Sequence, residues 1–242
     1  MAFNETGHYK NVANLNLLIG YITSYGAQYA PSKDAIKLVN LQDLYQSASL
    51  QITTVQDAKN NYSQKVDNRE DVFKNIKKFT TRIVANLSGT NVTEQTIKDA
   101  KTINAKIQAS KAKKPNTSNP DNLDPTATSH STSRQSYDSL YENFNDMVSL
   151  LNFAPGYDTT QNEFLTTELA NYATKLRNAN DEINNAVVLV TNKRIERNNL
   201  LYAPTTGLVD TALDAKKYIK GYFGATSQQF KAINSINFKN TK

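Results

Sequence analysis

The chain has no cysteine and no tryptophan among 242 residues, only two histidines, and few prolines and glycines. Without cysteine there is no disulfide framework, no thiolate metal site and no thiol nucleophile. His8 lies near the amino terminus and His130 in a polar stretch. Neither is expected on a rigid element, and the Glu-x-x-His pairs of a di-iron helical bundle cannot be assembled. No phosphate loop, dinucleotide glycine fingerprint or nucleophile elbow occurs. The remaining acid–base candidates are carboxylates: Asp181, Glu182 and Glu196, and Asp67, Glu70 and Asp71. They read as solvated groups or ion-pair partners of nearby Lys and Arg. The expectation is a protein that is not an enzyme and uses no cofactor or metal.

Long apolar runs are also missing. The longest aliphatic run, residues 186–190, is far too short to cross a bilayer. The first ten residues lack the basic start and apolar core of a signal peptide. A cytoplasmic protein without a transmembrane segment is therefore expected.

What is present is a pattern that occurs twice. Leu15, Leu18, Ile19 and Ile22 match Phe144, Met147, Val148 and Leu151, a spacing that puts each set on one helical face. Each copy then breaks at a proline, Pro31 or Pro155, because proline has no amide donor and restricts the residue before it. A long seam comes next. Leu41, Leu44, Ala48, Val55, Ala58, Tyr62, Lys65 and Arg69 match Leu169, Tyr172, Leu176, Ile183, Ala186, Val190, Lys193 and Arg197 at constant offset, with Gln51 and Ala179 at the intervening heptad position. Steps of three and four are those of a long helix packed lengthwise on another.

A third block aligns Phe73, Ile83, Val84, Leu87 and Gly89 with Leu208, Tyr218, Ile219, Tyr222 and Gly224. Gly89 and Gly224 are read as left-handed helix caps. Residues 202–207, with Pro204, are expected to break the helix in the second copy where the first runs on. The last block matches Lys98, Ile103, Asn104 and Lys106 with Lys231, Ile236, Asn237 and Lys239. Thr93, and Thr226 or Ser227, are placed to cap these closing helices.

Residues 110–135 are rich in Ser, Thr and Asn, hold Pro115, Pro120 and Pro125, and have almost nothing apolar to bury. They read as a flexible or extended linker. The organisation is thus a first helical repeat over 1–109, a linker over 110–135 and a second repeat over 136–242. The expected fold is all-α, an elongated helical bundle of two homologous, pseudo-twofold halves of three to four helices each.

Two basic features stand out. Both seams end in cations, Lys65 and Arg69 in one copy and Lys193 and Arg197 in the other. Under pseudo-twofold packing these four would converge, with Asp67, Glu70 and Glu196 as candidate counter-ions. The second is a stripe of Lys74, Lys77, Lys78 and Arg82 on one face of the third helix, continued by Lys111, Lys113 and Lys114 in the linker. The net charge of +6 resides in this first half and the linker: residues 1–110 hold thirteen Lys and Arg against nine Asp and Glu, while 136–242 balance eleven against eleven. A cationic face of this kind suits nucleic acid, a ribosome or an acidic protein surface, although no nucleic-acid-binding motif accompanies it.

The segments 194–203, Gly207-Leu208-Val209-Asp210 and 216–224, with the companion patterns 68–73 and 99–107, resemble a family of internally duplicated all-helical proteins of unassigned function associated with Bacteroidota genomes. The resemblance implies the fold and supplies no activity, cofactor or site residue. The functional expectation is a non-catalytic structural or protein-interaction helical bundle that binds a protein partner or self-associates. The alternative is a cytoplasmic nucleic-acid- or ribosome-associated factor acting through the basic face.

Overall fold

Proline placement and apolar periodicity set where the helices stop and which faces they bury. A computed structural model describes residues 6–108 and 135–240. Among the described residues the regular structure is helical, without strands: α1 (Thr6–Tyr25), α2 (Leu38–Phe73), α3 (Ile76–Asn86), α4 (Glu94–Gln108), α5 (Tyr137–Phe153), α6 (Thr166–Tyr202), α7 (Leu208–Phe223) and α8 (Gln228–Asn234). Pro31, Pro155 and Pro204 all fall in connectors, where a missing amide costs no helical hydrogen bond. No described helix is long and apolar enough to cross a membrane.

The chain divides into two compact units. The first takes Met1–Tyr62 and Ala186–Lys242, hence α1, the front of α2, the rear of α6, α7 and α8. Its core joins Leu15, Leu18 and Ile22 of α1 and Leu41 and Ile52 of α2 to Leu201 of α6, Leu208 and Ile219 of α7 and Ile233 of α8. The second takes Ser63–Asn185, hence the rear of α2, α3, α4, α5 and the front of α6. Its core joins Phe73, Ile76, Ile83 and Leu87 to Ile107, Phe144, Met147, Leu151, Phe164, Leu169 and Leu176. Each core therefore draws on residues from both sides of the segment 110–135.

Within each unit the two long helices are bridged by side chains in antiparallel register. In the first, the Gln51 amide donates to the Lys193 carbonyl at 3.1 Å. In the second, Lys65 pairs with Glu182 at 3.1 Å and the Tyr172 hydroxyl donates to the Val72 carbonyl at 2.8 Å. Most expected apolar seam positions are buried, from Leu41, Ala48, Val55 and Ala58 on α2 to Leu169, Leu176, Ile183, Ala186 and Val190 on α6, whereas Leu44 and Tyr172 are half-buried and Tyr62 is exposed.

Matching local devices close the elements. Tyr29 and Tyr157 each donate their hydroxyl to a carbonyl seven residues on, that of Ile36 at 2.7 Å and of Phe164 at 2.6 Å. Both spans end in a short 3-10 turn, Asp34–Ile36 or Asn162–Phe164, just before a long helix begins. The Thr93 hydroxyl accepts from the Thr96 amide, and that of Ser227 from the Phe230 amide, so each opens its helix as an N-cap. Gly156, at φ +80°, pairs its carbonyl with the Asn91 amide at 3.0 Å, and a Cβ there would fall onto the Asn91 backbone.

Several expectations are corrected. Gly224 does close α7 at positive φ, but Gly89 does not adopt that conformation. It ends a 3-10 turn, Leu87–Gly89, where the Thr90 amide and hydroxyl both satisfy the Leu87 carbonyl. The first copy does not run on past Phe73: a turn at Lys74 and Asn75 separates α2 from α3, which lets Phe73 and Ile76 both face the second core. Leu87 is fully buried whereas Tyr222 is 59% exposed, so their expected match fails. The closing helix of the second copy ends at Asn234, and residues 236–240 form a non-helical tail. Asn11 donates to the Lys239 carbonyl in this tail at 2.7 Å and accepts from the Lys239 amide at 3.1 Å, while Asn14 donates to the Asn237 carbonyl at 2.6 Å. His8, expected off any rigid element, lies on α1, buried, with Nδ1 2.7 Å from the Tyr202 hydroxyl.

Candidate functional site

The second unit carries an open groove of about 680 Å³ between the α2–α3 turn region and the front of α6. Its floor is aromatic. Phe79 and Tyr172 meet edge to face with centroids 5.4 Å apart, and Phe79 stacks between Phe144 and Phe164 at 6.1 Å from each. Such offset and T-shaped pairs are the favoured arrangements of ring quadrupoles. The Tyr172 hydroxyl is committed to the Val72 carbonyl, and burial raises its pKa, so the phenol stays neutral. The floor thus presents ring surface and no free polar handle.

The walls are charged with both signs. Asp71 and Lys78 line one side and Glu168 and Lys175 the other, with Arg82 and Glu163 at one end. Arg82 is ion-paired with Glu163, and its guanidinium lies 5.4 Å from the Phe164 ring centre. Asp71, Lys78, Glu168 and Lys175 have no ion-pair partner among the described residues. Three cations face three carboxylates, so the groove has no net formal charge.

The basic stripe is dispersed rather than continuous. Lys74 lies in the turn before α3 and not on that helix. Lys77 donates to the Gln135 side-chain carbonyl at 2.7 Å, while Lys78 and Arg82 enter the groove. Lys111, Lys113 and Lys114 lie outside the described residues, as does nearly all of the expected linker.

The four seam cations divide between the units, each pair with its own partners. In the second, Lys65 pairs with Glu182, and the Arg69 guanidinium lies 4.1 Å from the Tyr137 ring centre. In the first, Lys193 pairs with Glu196 at 2.9 Å. The hydrogen bond from Lys193, and to a lesser degree that from Gln51, holds the Glu196 carboxyl below its ordinary pKa. Arg197 is buried, and its guanidinium donates to the Asn198 side-chain carbonyl at 2.9 and 3.2 Å. Of the three counter-ions expected from sequence, Glu196 serves; Glu182 stands in for Asp67 and Glu70.

The groove could not be read locally. Arg82 meets a carboxylate 81 residues away, and nothing in the spacing around Lys78 announces Tyr172 or Lys175. Among the described residues no three His, Asp or Glu side chains gather as a metal site would require. Comparison of the chain with models of protein families, with curated proteins and with solved structures returned no match, so the site is described by its own geometry.

Proposed function

We propose that this chain is a non-catalytic interaction protein, built from two duplicated helical halves, that receives a partner protein in the groove of its second unit. The observation that carries the reading is the groove itself: Asp71, Lys78, Glu168 and Lys175, charges of both signs without ion-pair partners among the described residues, stand beside an aromatic floor, Glu168 accepting only from the Asn171 amide at 3.4 Å. Aromatic pockets rimmed by polar groups are where protein recognition concentrates its energy. Neutralisation of Arg82 by Glu163 and the balance of the remaining charges favour a protein segment over a nucleic acid backbone, which asks for an excess of cations. The duplication is supported by the repeated tyrosine-to-carbonyl bridges and by long helices that start at Leu38 and Thr166, 128 positions apart.

The test is selection of a random dodecapeptide library on the full chain and on Asn171→Trp, a substitution at an exposed groove residue that fills the space without entering the core. Peptides should be recovered whose affinity falls at least tenfold in the variant while its thermal midpoint is unchanged. Recovery of no such peptide refutes the reading. Tight binding of single-stranded DNA that weakens steeply with salt and is lost in Lys74→Glu/Lys77→Glu/Lys78→Glu would replace it with the nucleic-acid alternative.

A further inference from the structure

The groove's charges are spaced, and the spacing describes what fits. Glu168 and Lys175 lie seven residues apart on α6, on the same helical face, both exposed and both without an ion-pair partner among the described residues. Seven residues of helix are two turns, an axial separation of about 10.5 Å. The rings of Phe79 and Tyr172 lie in the floor beside them, and the facing wall repeats the pairing of signs with Asp71 and Lys78.

A ligand matching this pattern needs one anionic and one cationic group about 10 Å apart with an apolar planar group between them. A polypeptide in the three-residue-per-turn extended helix rises about 3.1 Å per residue. Charges three positions apart then lie on one side, about 9 Å apart along the axis, while a side chain between them turns toward the floor. Resting on the reading of the groove as a protein-binding site, we infer that its partner presents an extended segment with an acidic and a basic residue three positions apart and an aromatic residue between them. The acidic residue meets Lys175, the basic residue meets Glu168, and the ring packs on Phe79 and Tyr172. Since the Tyr172 hydroxyl is already taken by the Val72 carbonyl, the ring is held by its faces and edges alone, so phenylalanine serves as well as tyrosine.

The experiment is fluorescence anisotropy of labelled hexapeptides with the full chain. The matched probe is Gly-Asp-Phe-Gly-Lys-Gly. One control places the two charges side by side, a second replaces Phe by Ala, and a third carries two lysines. The matched probe should bind tightest, with the aromatic deletion costing at least tenfold and the altered spacing several-fold. Glu168→Gln should weaken it about two- to fivefold, the range of an exposed ion pair. Glu168→Gln/Lys175→Gln should erase the spacing preference while leaving the dependence on the ring. If all charge arrangements bind alike yet Asn171→Trp abolishes binding, the inference falls and the groove reading stands. If no probe binds, or binding is indifferent to Asn171→Trp, the groove reading falls and takes the inference with it.

Discussion

A protease site placed between Pro120 and Pro125 allows the chain to be cut once, after α4 and before α5. Were each sequence repeat an autonomous domain, the two fragments would separate. The cores are composed otherwise. Ten of the nineteen buried residues of the first core come from the amino-terminal fragment and nine from the other; in the second core the division is six and ten. In the first unit alone, Leu201, Leu208, Ile219 and Ile233 are fully buried and belong to the carboxy-terminal fragment. Exposing four such side chains costs on the order of 6–12 kcal/mol at about 1.5–3 kcal/mol each, comparable to the whole stability of a typical domain. Neither fragment can therefore keep a unit to itself. The cut protein should elute at the mass of the intact chain at micromolar concentration, retain its helical circular dichroism, and separate only in denaturant. Fragments that part in native buffer, each melting cooperatively, would refute the reasoning.

Asp214 accepts from Lys33 at 2.6 Å and Lys217 at 3.0 Å, and these bonds, Lys33's first, hold its carboxyl below the ordinary value. Its stabilisation is present above the unfolded value of 3.8 and is lost as pH falls through the lower folded value, so Asp214→Asn should lower the unfolding free energy from urea titration at neutral pH, by no more than about 1 kcal/mol for a partly exposed pair. The difference from the parent should vanish in strong acid. Tyr29→Phe and Tyr157→Phe should each cost about 0.5–1.5 kcal/mol by calorimetry, the net worth of one hydrogen bond. Burial raises the Tyr29 phenol above its ordinary value, so its contribution holds below pH 10 and is lost as pH rises from there toward the folded value; Tyr29→Phe should flatten that alkaline decline, and an unchanged decline would count against it. Asn11→Ala removes both bonds to the Lys239 backbone and should destabilise by about 1–3 kcal/mol, with faster hydrogen exchange at the Lys239 amide as the direct readout.

Features governed by neighbours along the chain were legible without a structure. Pro31, Pro155 and Pro204 mark connectors because their constraint is local. Thr93 and Ser227 cap helices because a side chain two or three residues before an amide needs no tertiary help. The apolar faces of α1 and α5 and the long seams were visible in their periodicity. Local patterns misled where packing chose among permitted conformations. Gly89 was free to adopt positive φ, yet a threonine satisfied the same carbonyl. A turn at Lys74 and Asn75 let Phe73 and Ile76 share a core, although neither residue forbids helix. His8 looked stranded near a terminus and instead found Tyr202, 194 residues away.

By itself the sequence determined that the chain would be helical, where prolines would interrupt its helices, and which of their faces would turn from water. Those outcomes depend on backbone constraints and on apolar residues spaced at the period of one helix. Only the tertiary structure decided which helices share a core, drawing each core from both sides of the segment 110–135. It also decided that Arg82 would pair with Glu163, and that Lys78 would line one groove with Glu168 and Lys175. Burial of apolar surface is non-directional: it specifies that a face must be covered and leaves open by what. Shape and packing between distant segments answer that, and no local spacing records them.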